Sequence, residues 1–521
     1  MSTTRVKLLA FIFGVWAIPA PGNAAPDTNA ALVRSYCSGC HVERGPGQFD
    51  RISNIRKTPE GWVMTLFRMQ NVHGLVLPDD AHDSIVRYLA DAQGLAPSEA
   101  APARYALERR PNVTDLDRGP ELATMCGRCH SMARSALQRR DATEWLKLAH
   151  THLGQWPSLE YQASSRDRPW WEIASKKLPS ELAALYPYAS TAWTEWQARP
   201  RAALSGHWVV VGRVPGRRDF YGTAEISRAS DGSYAAQYAL TDVAGAPLAG
   251  DSHAVVYTGY EWRGRATVGG RSVREVYAMS EDGRRLTGRW FDAEHSEEGG
   301  EWTAVRADAP PEILAVLPQA LRAGTYGRVA IVGTGLQGAT APSFGAGSKV
   351  TVTRRDANIV EAEVAIDAAA VAGARTAEVG TATATLAVYH TIDRLDVKPA
   401  FGIARVGGGK LAPVVAQFEA IGATHLPSGE WLTLGPLVAE WSAAPFDADA
   451  KRTADDKYAG RIESNGRFVP AGAGPNPERE YSGNNIGNLN IIARVKDAER
   501  TIESKSHLIV TVQRWNTPPI Y

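Results

Sequence analysis

The sequence predicts a multidomain chain in which an all-α N-terminal region is followed by three all-β domains. At 521 residues it exceeds what one hydrophobic core can hold and suggests three or four domains of roughly 150 residues each. Up to about residue 165 apolar residues recur at helical spacing, as in Gly61-Trp62-Val63-Met64-Thr65-Leu66-Phe67-Arg68-Met69. Beyond about residue 205 the pattern changes to short strand-like runs divided by turn residues.

Composition narrows the function classes. The chain is 44% hydrophobic and 22% charged, and Lys+Arg 57 against Asp+Glu 56 leave a formal charge of +1. Such a balance supplies no electrostatic footprint for nucleic acid. Gly 48 and Pro 31 occur without a repeat period, which excludes collagen and wholesale disorder.

Residues 1–24 read as a secretory signal: Arg5 and Lys7, an apolar run from Leu8 to Ile18, then Gly22-Asn23-Ala24 as a small-residue cleavage site. About 11 apolar residues fall short of the roughly 20 needed to span a bilayer. No later stretch is long and apolar enough to span, and the mature chain is expected to start near Ala25 and to be exported.

Residues 25–165 form the expected helical domain, in two lobes separated by the proline- and alanine-rich join from Ala96-Pro97 to Ala103. Residues 166–308 open on a Trp- and Pro-rich bridge and continue in short strands such as His207-Trp208-Val209-Val210-Val211 and Glu301-Trp302-Thr303-Ala304-Val305. Asp231-Gly232 and Asp282-Gly283 mark hairpin turns, which argues an antiparallel β-barrel whose inside is filled with side chains. Residues 309–395, opened by Pro310-Pro311, are expected to form an immunoglobulin-like sandwich. Residues 396–521 form a last all-β unit, with Ile491–Val495 and His507–Val512 as its clearest strands.

All four cysteines lie in one motif used twice, Cys37-Ser38-Gly39-Cys40-His41 and Cys126-Gly127-Arg128-Cys129-His130. C-x-x-C-H is the attachment signature of a c-type haem. Two thiols three positions apart reach the two vinyl groups of one porphyrin, and the following histidine is held beneath the iron. A bis-C-x-x-C metal site or two short-loop disulfides are the rival readings. The sequence therefore predicts two covalent haem c groups, with His41 and His130 as proximal ligands.

The sixth ligands follow from internal similarity. Aligning Thr58-Pro59-Glu60-Gly61-Trp62 with Asp141-Ala142-Thr143-Glu144-Trp145 pairs the two tryptophans, and seven residues beyond each stand Met69 and His152. That spacing puts each candidate on its tryptophan's face, two helical turns along. Met69 and His152 are therefore the expected distal ligands. His73, one turn beyond Met69, is the rival in the first lobe, and His150, on roughly the opposite face from His152, is the rival in the second. A thioether favours ferrous iron relative to imidazole, so this ligand set predicts a higher potential in the first lobe and electrons entering at the second.

Other motifs carry less. Gly333-Thr334-Gly335-Leu336-Gln337-Gly338 matches G-x-G-x-x-G. The next residues, Ala339-Thr340-Ala341-Pro342-Ser343-Phe344-Gly345, cannot be the helix that a dinucleotide site requires. The acidic run Asp447-Ala448-Asp449 with Asp455-Asp456 reads as a solvated loop. G-x-S-x-G, H-E-x-x-H and the P-loop do not occur, and no catalytic residue is assigned.

Two C-x-x-C-H lobes followed by three β domains, with Trp62 to Met69, then Val72-His73-Gly74-Leu75 and Tyr88-Leu89, resemble the alpha subunit of quinohemoprotein amine dehydrogenase. The resemblance implies a periplasmic heterotrimer. A small gamma subunit would carry cysteine tryptophylquinone, which deaminates primary amines, and a beta subunit would be a propeller. This chain would take electrons from the quinone and pass them to a blue copper protein or a cytochrome c. A dihaem peroxidase-like enzyme and a haem-bearing sensor or binding protein are the alternatives from other classes.

Overall fold

The structure, a computed structural model, describes residues 28–155, 164, 166–337 and 342–513. The signal-like segment and the end of the glycine-rich motif, from Gly338 to Ala341, lie outside the described residues.

Helices α1 (Thr28–Cys37), α2 (Pro59–His73) and α3 (Asp79–Ala92) build the first lobe. Its core joins Trp62, Leu66, Ile85, Val86 and Leu89. The start of α2 is set by Thr58, whose side chain accepts from the Gly61 N–H, and by Pro59 in the first turn. Its end is set by Gly74 at φ 73°, whose N–H returns to the Met69 carbonyl. The second lobe follows with α4 (Pro97–Ala100), α5 (Arg104–Leu107), α6 (Pro120–Met125), α7 (Ala133–Ala136) and α8 (Ala142–Gln155). Asp141 accepts from the Glu144 N–H at 2.7 Å and so caps α8 as Thr58 caps α2.

The expectation of an all-α N-terminal domain is corrected by two ladders. Strands β1 (Glu43–Gly45) and β2 (Gln48–Phe49) form a hairpin. Strands β3 (Ile55–Lys57) and β4 (Gln138–Arg140) pair antiparallel, with Arg56 opposite Arg139. The hairpin is too short to show a period, and the second ladder joins segments from different lobes, so neither leaves a local signal. The fold as a whole is mostly β.

The second ladder places two cations in the interior. Arg56 and Arg139, at 2% and 6% exposure, converge on Glu99 of α4. Arg56 grips the carboxylate with two nitrogens at 2.8 and 2.9 Å, and Arg139 Nε donates at 3.1 Å. Burial alone would raise the Glu99 carboxyl, but the Arg56 hydrogen bonds and the Arg139 charge hold it down to about 2.

The eight strands β5 (Gly206–Arg213), β6 (Asp219–Arg228), β7 (Tyr234–Asp242), β8 (Pro247–Tyr257), β9 (Glu261–Val268), β10 (Arg271–Met279), β11 (Arg285–Asp292) and β12 (Gly299–Arg306) form a barrel. Each pairs with its neighbour and β12 closes on β5. The stretch before it, which composition grouped with the barrel, is helical over Leu178–Leu185 and Thr191–Ala198. Leu178 and Leu182 join the second-lobe core.

Aromatic side chains fill the barrel, Trp208, Trp262 and Trp302 among them, and Tyr277 stacks on Trp302 at 5.3 Å. The buried Glu275 accepts from Tyr238, Ser252 and Trp262 at 2.6, 2.6 and 2.9 Å, which satisfies a carboxylate that would otherwise be costly to bury.

Both lobes rest on the barrel. Val276 and Phe291 belong to the second-lobe core. Under the first lobe, Arg263 bridges Glu60 of α2 and the buried Glu261. Burial, opposed by Arg263 and reinforced by the Glu60 charge, pushes the Glu261 carboxyl up to about 8. The folded state then binds a proton that the unfolded state has lost. Stability is therefore expected to fall as pH rises from the ordinary value of 4.5 toward 8. The Glu261→Gln variant should flatten that decline in a series of thermal melts across pH 5 to 8; a wild-type slope unchanged in the variant would refute it.

Beyond the barrel lies a two-sheet sandwich. Its sheets run in the order β13 (Glu312–Leu317), β15 (Tyr326–Thr334), β17 (Ile359–Ile366), β16 (Ser348–Arg355), and β14 (Ala320–Arg322), β19 (Ala382–Tyr389), β18 (Gly373–Val379). Val329, Ile331, Val360 and Leu386 lie between them. The C-terminal unit is not purely β. Among the described residues its sheets of three, four and three strands are interrupted by short helices over Ala448–Arg452 and Asp455–Tyr458. The acidic run is thus built into structure: Asp447 caps the first helix, and Asp455 is buried against Arg479 at 2.5 Å.

Candidate haem sites

In the first lobe Cys37 closes α1, and the next turn carries Cys40 and His41, whose N–H groups both return to the Cys37 carbonyl at 3.1 and 2.9 Å. The β1–β2 hairpin then reverses the chain and brings the Asp50 carbonyl to 2.9 Å from His41 Nδ1. A carbonyl oxygen can only accept, so Nδ1 carries the proton and Nε2 keeps its lone pair. An imidazole held in this way is oriented and made more basic for an axial metal bond. Arg44 secures the Asp50 side chain at 2.7 Å. The short hairpin that sequence periodicity missed therefore positions His41.

The second lobe reaches the same result by another route. Cys126 follows α6, and His130 Nδ1 lies 3.0 Å from the Ser131 carbonyl. Asp115 fixes the chain just beyond, taking hydrogen bonds from Tyr105, the Ser131 hydroxyl and the Met132 N–H at 2.5, 2.8 and 2.7 Å. Burial lowers the His130 pKa, with the Arg134 and His152 charges adding, and a neutral imidazole is the form that ligates metal. His152, in the last turn of α8, ties Nδ1 to the Leu148 carbonyl at 2.8 Å. Burial lowers it too, reinforced by Arg68, Arg134 and Arg140. His130 and His152 thus share one environment with both Nε2 atoms available.

The remaining candidates sit as follows. Met69 is half-buried on the α2 face that carries Trp62 and Leu66, and His73 is exposed at the end of that helix. Met64 faces the second lobe, where its sulfur accepts from Arg134 at 3.4 Å. His150 is exposed and meets the Trp171 ring edge-on at 4.9 Å.

None of the four cysteines is in a disulfide. Burial pushes the Cys37 and Cys126 thiols up to about 11, with Cys40 and Glu181 adding respectively. Such thiols stay protonated at neutral pH and are poor metal ligands in themselves. Among the described residues no group of three or more His, Cys, Asp or Glu side chains is arranged to hold a metal ion. Cysteine pairs split between two cores, each followed by a histidine with its Nε2 open, fit a thioether-linked haem; they do not fit one shared tetrahedral metal.

The motifs gave no warning of the basic residues around these sites. The offset that pairs Trp62 with Trp145 also pairs Arg51 with Arg134, Arg56 with Arg139 and Lys57 with Arg140. Carrying the lobe alignment upstream of the tryptophans would have revealed the repeat. Gly61 makes room for Lys57: a Cβ there would come within 2.9 Å of the lysine side chain.

Four family models match the chain in series. Residues 27–193 match "Quinohemoprotein amine dehydrogenase A, alpha subunit, haem binding", and residues 201–307, 310–390 and 395–520 match domains II, III and IV of the same alpha subunit. The comparison with curated proteins finds no match. Among solved structures, a redesigned β-barrel bound to DFHBI is 19% identical, covering 20% of this chain and 96% of that one at a TM-score of 0.18. The tryptamine complex of the amine binding protein of Rhodnius prolixus is 9% identical, covering 21% and 67% at 0.17. Mouse clustered PcdhgC3 EC1-3 is 14% identical, covering 46% and 77% at 0.16. No helix among the described residues is long and apolar enough to cross a membrane. With consecutive models of one subunit accounting for nearly its whole length, haem-binding region first, the chain belongs to the quinohemoprotein amine dehydrogenase alpha-subunit family.

Proposed function

We propose that this chain is the electron-transfer subunit of a periplasmic amine dehydrogenase heterotrimer, carrying two covalent haem c groups. Cys37 and Cys40 would hold the first haem with His41 and Met69 as axial ligands. Cys126 and Cys129 would hold the second with His130 and His152. When bound, the two haems supply one-electron transfer between a quinone on the small partner subunit and a soluble acceptor, a blue copper protein or a cytochrome c. The protein's own residues orient and insulate. The Asp50, Ser131 and Leu148 carbonyls aim three imidazoles, Trp62 and Trp145 are buried on the helices that carry Met69 and His152, and the ladder between β3 and β4 joins the lobes.

The observation that carries the reading is the common Nδ1 anchoring of His41, His130 and His152, with two of these residues directly following a cysteine pair. With His41 and Met69 holding one iron and His130 and His152 the other, no iron position would be open to a substrate, which favours electron transfer over a peroxidase. Intact mass of the protein purified from periplasm is expected to show two added macrocycles. The Cys126→Ala/Cys129→Ala double variant should keep one, with haem-dependent staining on a denaturing gel about halved. A wild-type mass without added macrocycles would end the proposal. Co-purification of a small quinone-bearing subunit is the expected sign of the complex.

A further inference from the structure

Beside the second histidine pair lies a cluster of basic side chains with few acidic partners among the described residues. Lys57 is 4% exposed; its Nζ donates to the Thr65 hydroxyl at 2.6 Å and lies 5.4 Å from the centre of the Trp62 ring, and burial, reinforced by the nearby arginines, lowers its pKa well below the ordinary value. Arg68, from α2, donates to Thr65 at 3.4 Å, while its Nε is buried without a partner. Arg134, from α7, contacts the Met64 sulfur. Among the described residues none of these three has an acidic group within salt-bridge distance. Arg140, at 3% exposure, reaches Glu144 only at 3.9 Å, and Glu144 is already engaged by Lys147 at 2.5 Å.

Lys57 and Arg68 meet at the Thr65 hydroxyl, Arg134 reaches Met64 one residue before it, and Arg140 lies on the strand that pairs with Ile55–Lys57. Trp145, seven residues before His152 on α8, and Arg134, four residues past His130, set the cluster beside the second histidine pair. Buried guanidiniums without a close counter-charge are costly, so the arrangement suits an anion. A second observation points to the same place. The Arg140 guanidinium sits over the Trp145 ring at 5.7 Å, and the indole Nε1 of Trp145, 3% exposed, is a buried donor without an acceptor. Its repeat partner Trp62 donates to the Gln93 carbonyl. The first lobe thus satisfies its tryptophan internally, and the second does not.

We propose that Lys57, Arg68, Arg134 and Arg140, with the Trp145 indole N–H, form a carboxylate pocket for the propionate groups of the haem set between His130 and His152. This rests on the haem reading above and adds to it the residues that hold the acid side of the porphyrin. Two of these residues come from the first lobe and three from the second, so the propionates would complete the contact between lobes. Cations at this position favour the ferrous form and raise the potential of that haem, partly offsetting the effect of two imidazole ligands.

The test uses the purified holoprotein, with haem content confirmed by mass. Resonance Raman spectra should show propionate bending bands in the strongly hydrogen-bonded range. Arg68→Gln and, independently, Arg134→Gln should shift one of those bands and lower the potential of one haem only. The expected shift is about tenfold in the ferric/ferrous equilibrium, or about 59 mV. Arg68→Lys should restore most of the potential. Unchanged bands and potentials in both glutamine variants would overturn the proposal. So would a wild-type potential that moves with added phosphate, the mark of a free anion in the pocket. A protein without haem would overturn the functional reading itself; normal haem content with unmoved bands would overturn only this pocket.

Discussion

Replacing Glu99 with alanine is expected to destabilise the N-terminal domain by about 3–5 kcal/mol, the range found when one member of a buried ion pair is removed. Glu99 is the carboxylate shared by Arg56 and Arg139, and it also accepts from the Ser190 hydroxyl at 2.8 Å and the Ala96 N–H at 2.9 Å. The two guanidiniums lie opposite each other on the β3–β4 ladder, so without Glu99 two buried cations face each other across the joint between lobes. Denaturant unfolding followed by the Soret signal should show the loss as a lower midpoint; a change under about 1 kcal/mol would mean that the arginines find water instead. The same pair predicts acid behaviour. Because the Glu99 carboxyl is held down to about 2, its contribution is complete above the ordinary value of 4.5. It should drain away as pH falls from there toward 2.

The second large effect concerns the distal ligands. Met69→Ala is expected to abolish the higher-potential centre, and His152→Ala the lower one, because thioether ligation favours ferrous iron relative to imidazole. Each change should move its own haem by at least tenfold in the ferric/ferrous equilibrium, about 59 mV, and leave the other near its original value. Loss of the lower-potential centre on removing Met69 would reverse the assignment. Loss of neither would give the sixth position to His73 or His150. The proposed cationic pocket beside His152 would narrow the gap between the two potentials, so combining Arg68→Gln with Met69→Ala should separate charge from ligation.

Much of this was legible from the residues alone. The family could be recognised from two C-x-x-C-H motifs, the Trp62-to-Met69 segment and the succession of β domains, because covalent attachment chemistry and strand periodicity are both local. Most of the meander was visible for the same reason, since each strand pairs with its sequence neighbour and most turns carry Gly; the strand Glu261–Val268 was not among the runs picked out. The β1–β2 and β3–β4 ladders were not. One is too short to have a period, and the other pairs residues drawn from separate lobes. In the acidic run Asp447, Asp449 and Asp456 are exposed as expected, and only Asp455 is buried, which depends on what packs above it. Here that is Arg479 and the Asn488 N–H.

Which residues carry chemistry, and in what order the domains follow, was therefore written in the chain itself, since both reside in spacings of a few residues. How that chemistry is aimed and charged came from folding alone. The backbone carbonyl behind each imidazole, the shared carboxylate between Arg56 and Arg139, and the basic cluster beside His152 all arise where distant segments meet. Burial, which sets the cost of every unpaired charge, exists only once they have met.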